Sequence, residues 1–141
     1  MNKFTHMTII FCAIISLIFI NGWYRCRYNK GDDVLMTKLG IYDLDLWSIC
    51  HFMLFAYIGY KFPDMFWPAM GYGVAWELWE QWAGDTRPSW LGGFGDCNLS
   101  ITQTDSTHKA WWFGRGSDIA MNTAGFLVGI YMSRNKMGGY F

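Results

Sequence analysis

GYGVAWELWEQW, residues 71–82, poses the question on which the fold turns: a segment dense in tryptophan and aliphatic side chains carries two glutamates, Glu77 and Glu80, one helical turn apart. At 3.6 residues per turn both carboxylates share one helix face. A carboxylate at bilayer depth costs roughly 2.5–3.5 kcal/mol, so such groups turn toward a bundle interior or water. The plainer reading leaves them at the membrane interface, near the end of their segment and beside Gln81.

Composition places the segment in a membrane protein. Of 141 residues, 52% are hydrophobic, 20% are aromatic and nine are tryptophan, several times the tryptophan content of an ordinary soluble domain. The formal net charge is zero, so no broad basic face exists for nucleic acid. Neither an internal repeat nor a low-complexity tail interrupts what reads as a single integral membrane domain over residues 1–141.

Four apolar segments follow one another. MTIIFCAIISLIFINGWY, residues 7–24, is uncharged and ends in an aromatic pair suited to headgroup depth. It competes with a signal peptide, but no small-x-small cleavage site follows at residues 21–24, which favours a retained transmembrane helix. LDLWSICHFMLFAYIGY (44–60) is the second, with Pro63 past its end. MFWPAMGYGVAWELWEQW (65–82) is the third, with Pro68 in its first turn, and the short link predicts an antiparallel hairpin with the second. The fourth, over residues 117–133, is short for a span and requires tilt or local thinning. The expected fold is therefore an all-α, four-helix transmembrane bundle, multi-pass in the lipid bilayer. A long aromatic-rich connection, 83–117, either folds back on the membrane surface or is held by protein partners.

Each of the later segments holds polar groups that lipid does not tolerate: His51 in the second, Glu77 and Glu80 in the third, Asp118 and Asn122 in the fourth. Asp118, Asn122, Gly125 and Gly129 recur at three-and-four spacing along one stripe, and the two glycines let a neighbouring helix approach closely. One polar cluster is expected. Taken singly, each residue has a plainer role: His51 in packing, Asp118 as a helix-start carboxylate, the glycine pair in packing alone.

The combination is more specific. A histidine in an apolar helix (CHFMLFAYIG, 50–59), a glutamate-rich helix end (WELWEQW, 76–82), an arginine before an acidic helix start (GRGSD, 114–118) and DIAMNTAGFLVG (118–129) together resemble the VanZ-like family of small multi-pass membrane proteins. The family's last motif, Asp, three residues, Asn, two residues, Gly, three residues, Gly, falls on Asp118, Asn122, Gly125 and Gly129. His51, Glu77 and Arg115 are similar by position and context, and the resemblance covers residues 45–133. Trp47 and Ser48 stand where the family often has an acidic residue and a lysine, with Asp45 the nearest acid; Glu80 replaces a common glutamine; the last connection is longer. What the resemblance implies is a membrane bundle with an interior polar site, associated in one member with glycopeptide-antibiotic tolerance.

Imidazole and carboxylates are the donor types for zinc, manganese or iron, so His51, Glu77, Glu80 and Asp118 are candidate metal ligands, with Arg115 and Asn122 beside them. Crowded carboxylates in a low dielectric equally share protons unless Arg115 or a cation neutralises them. No serine or cysteine nucleophile stands in a recognisable setting, and neither a phosphate-cradling loop nor an HExxH helix is present. Three functions follow: a membrane protein whose polar cluster binds a metal, a proton, a lipid headgroup or another small polar group; an enzyme acting on a lipid-linked substrate; or a structural subunit docked through residues 83–117.

Cys12 and Cys50 fall within helices, whereas Cys26 and Cys97 fall in two connections on the same side of the bundle. There they could pair in an oxidising compartment; against this, Arg25, Arg27, Lys30 and Lys38 place that side in the cytoplasm by the positive-inside rule, which keeps thiols reduced. The sequon Asn98-Leu99-Ser100 points to the opposite side.

Overall fold

A computed structural model describes residues 2–28, 33–42, 44–97 and 110–138, with side chains through residue 135. Lys30 and the Asn98 sequon lie outside the described residues. Within them the protein is all-α: four helices, α1 (Lys3–Arg27), α2 (Leu46–Lys61), α3 (Phe66–Thr86) and α4 (Gly116–Gly138), with short 3-10 turns at Val34–Met36 and Ser89–Leu91.

The helix ends follow local chemistry. Asn2 caps α1 by accepting from the Thr5 amide at 2.7 Å, so the helix starts before the uncharged stretch, and Arg25 and Arg27 sit in its last turn against the negative end of the dipole. Asp45 caps α2 through a reciprocal box with Ser48, which sets the start at Leu46. α3 runs beyond Trp82 to Thr86 and stops where Arg87 turns left-handed at φ 41°. The connection expected from residue 83 is correspondingly shorter. Only α1, among the described residues, is both long and apolar enough on average to cross a membrane.

The helix pairing differs from the expected hairpin. The link of α2 to α3 is short, yet the main partner of α2 is α4, with α3 lying more lightly against both. Small residues explain the choice. A Cβ on Gly125 would meet the Phe52 carbonyl, one on Gly129 the Ala56 carbonyl, and one on Gly59 the Phe126 carbonyl, so α2 and α4 touch backbone to backbone. Gly125→Val should lower stability by about 1–3 kcal/mol through overpacking, read as an earlier unfolding midpoint. Gly71→Ala, where added bulk meets nothing within 4 Å, should leave that midpoint unchanged or slightly raised.

Two apolar clusters stabilise the bundle. One joins Met7 and Phe11 of α1 to Phe55, Ile58, Ala69 and Phe126; the other gathers Ala83, Leu91 and Trp112 with Phe19, Trp79 and Phe94. Trp112 is fully buried and its indole N–H donates to the Phe94 carbonyl at 2.8 Å, so this part of the long connection folds onto its own helices. Trp90 remains half-exposed. Cys26 and Cys97, whose pairing the sequence leaves open, are joined in a disulfide, a bond that persists where thiols are not kept reduced. On α3 the buried Glu77 lies between Ala69 of the first cluster and Ala83 of the second.

Candidate functional site

His51 lies one turn beyond the Asp45–Ser48 cap, on the face of α2 turned to α4, where Asn122 meets it. The His51 Nδ1 to Asn122 Oδ1 distance is 3.0 Å. With the amide oxygen accepting from Nδ1–H, the lone pair of the neutral ring is on Nε2. That nitrogen faces Glu77 Oε1 at 3.8 Å, beyond hydrogen-bond reach.

Glu77 enters from α3 and is 4% exposed. Its Oε2 accepts from the Arg115 backbone N–H at 2.8 Å, whereas its buried Oε1 has no hydrogen-bond partner among the described residues. The connection comes this close because Gly114 has no side chain: a Cβ there would collide with the Glu77 carbonyl.

Asp118, in the first turn of α4, accepts from Ser48 Oγ at 2.6 Å and lies 3.7 Å from the Arg115 guanidinium. Arg115 also pairs directly with Asp45 and stacks over Phe113, its centre 4.4 Å from the ring centroid. One ligand atom each from His51, Glu77 and Asp118 lie within 4.8 Å of one another, close enough for one ion to gather them.

Five of the six residues singled out from the sequence therefore converge: His51, Glu77, Arg115, Asp118 and Asn122. Glu80 is outside the ligand triad but half-buried, and it lines one small cavity with His51, Arg115 and Asp118 and the indoles of Trp47, Trp76 and Trp111. Asp45 and Ser48 are part of the network, and the signal for them was the capping spacing Asp-x-x-Ser ahead of an apolar run. Asp33 carried no local signal. Its Oδ2 accepts from the indole N–H groups of both Trp47 (3.2 Å) and Trp111 (3.0 Å), fixing the aromatic roof over the cavity.

Ionised Asp45, Glu77 and Asp118 against Arg115 leave two negative charges among groups almost removed from water. Such an excess requires protons or a cation. The donor set fits a divalent ion bound by one imidazole nitrogen and two carboxylate oxygens, with Asn122 and Ser48 orienting two of the three ligands. Comparison with family models, with curated proteins and with solved structures gives no match.

Proposed function

We propose that the chain is a multi-pass, VanZ-like integral membrane protein whose interior site binds a divalent metal cation through His51, Glu77 and Asp118. The observation that carries the proposal is the convergence of three ligand atoms within 4.8 Å, one belonging to a glutamate whose second oxygen is the only one hydrogen-bonded. The charge of one such ion equals the excess left by three carboxylates and one guanidinium. A tautomer of His51 set by Asn122 presents the lone pair that a metal needs.

Membrane residence is supported by the inversion of the usual pattern. Ser48, Glu77, Asp118 and Asn122 are buried, while Met53, Tyr57, Leu78, Leu127, Tyr131 and Met132 face outward. Part of the polar content of α3 and α4, namely Glu77, Asp118 and Asn122, is buried where lipid would not meet it. At 16 residues α2 extends about 24 Å, shorter than a hydrocarbon core of about 30 Å, and local thinning accommodates it.

Chelator-treated protein in detergent should take up one equivalent of zinc or manganese by calorimetry. Glu77→Gln and Asp118→Asn should each abolish uptake while the protein stays helical, and Asn122→Ala should weaken it about 10- to 100-fold. Folded wild-type protein that binds neither ion would sink the reading and leave protons as the neutralising species.

A further inference from the structure

Besides Asp45, which pairs with Arg115, Glu80 is an acidic side chain near the cluster that the proposed ligand set does not include. It lines a cavity of about 30 Å³, room for a single water-sized group, together with Asp118 and Arg115. Arg115 is already answered by Asp45, and Asp118 belongs to the metal triad, so the charge of an ionised Glu80 is additional on that wall. The indoles of Trp47, Trp76 and Trp111 line the cavity too, with Ile18, Met36, His51 and Phe113. Rings in this region already accept cations: Arg115 covers Phe113, and Arg25 lies 5.7 Å over Trp111.

A second cavity, about 140 Å³ and almost wholly apolar, adjoins the first. Its walls include Ile14 and Ile15 of α1, Leu54 and Phe55 of α2, and Tyr72 of α3. Ile18, Trp47, His51 and Trp76 border both spaces. The larger one resembles in size an apolar cavity of about 150 Å³ that holds a benzene ring, enough for several methylene groups. An apolar slot ending in a small, negatively charged, aromatic chamber is complementary to one kind of molecule.

We infer that this pair of cavities binds a long-chain primary amine amphiphile, its ammonium head beside Glu80 and its first methylenes in the slot between α1 and α2. The chamber volume excludes a trimethylammonium head, and the charge on its wall disfavours a sulfate. His51 and Asp118 also line the chamber, but Glu80 is outside the metal triad, so a Glu80→Gln variant that keeps all three ligands separates failure of this inference from failure of metal binding.

Cys50 provides the readout, because it lines the slot and its thiol is exposed. In a Cys12→Ala variant it is the sole free thiol, Cys26 and Cys97 being bonded. The rate of Cys50 alkylation by N-ethylmaleimide is followed by intact mass, for the full chain in nonionic detergent, with dodecylamine, dodecyltrimethylammonium, dodecanol or dodecyl sulfate. One cation–π contact with a partly desolvated carboxylate corresponds to a preference of about tenfold, so dodecylamine should protect at about one-tenth the concentration of dodecanol or the trimethyl compound. Glu80→Gln should erase that preference while leaving tail binding, and Ile15→Trp should remove protection by every compound. Equal protection by amine, alcohol and sulfate would reduce the site to a tail pocket and overturn the inference, as would no protection at all. Unchanged amine preference in folded Glu80→Gln protein would also overturn it.

Discussion

Arg115→Gln should cost about 3–5 kcal/mol of folding stability, the loss that follows when one partner of a buried ion pair is removed. Asp45, 1% exposed, and Asp118, 3% exposed, both lie against this guanidinium. Neither has water to turn to once it is gone. Asp45 is also the cap of α2, so relieving its uncompensated charge by rotation would fray the helix that positions His51. The Arg115 backbone N–H that holds Glu77 survives the change. Arg115→Lys should fall between, since a point charge cannot reproduce the planar fork that reaches two carboxylates. Combining Arg115→Gln with Asp45→Asn should recover part of the loss, and a double-mutant cycle of unfolding midpoints measures how much. An unaltered midpoint for Arg115→Gln would mean that the network does not stabilise the fold.

Reduction of the Cys26–Cys97 bond should cost about 2–5 kcal/mol, because it releases a loop whose ends are 71 residues apart. The bond fastens the end of α1 to the connection, where Gly22 lies so close to Phe94 and Gly95 that a Cβ would touch their backbone. Thermal unfolding with and without a reductant gives the shift directly. A Cys26→Ser, Cys97→Ser double variant should match the reduced protein and no longer respond to reductant; a midpoint equal to that of the oxidised wild type would show that the crosslink adds nothing.

Helix content was legible because apolar runs, caps and prolines act locally. The stripe from Asp118 to Gly129 was legible for the same reason: three-and-four spacing puts those residues on one face whatever they meet. What they meet was not legible. Adjacency in the chain favoured α2 with α3, whereas Gly59, which carried no signal of its own, completes a three-glycine contact that draws α2 onto α4. Glu77 and Glu80 looked equivalent in sequence, yet one turn separates a buried carboxylate from a half-buried one, because the chain at Gly114 closes over only the first. The role of Asp33 depends on two indoles 14 and 78 residues away, and no local pattern encodes it. Pairing of Cys26 stayed open for a related reason: both connections fell on one side, the charge tally spoke for reduced thiols, and only their approach in space decides between the two.

α1 is fastened near both ends. Lys3 bonds both oxygens of Asp64 at 2.9 and 2.8 Å, and Met7 and Phe11 enter the core; at the far end Cys26 is tied covalently to Cys97. Mechanically the helix is a beam clamped at its extremities, and Ile14 and Ile15 occupy the span between the clamps. A guest in the slot would bear on the stretch between the clamps. Cutting the sulfur bridge removes the covalent support and leaves that end held by the packing of Phe19 and Gly22 against the connection.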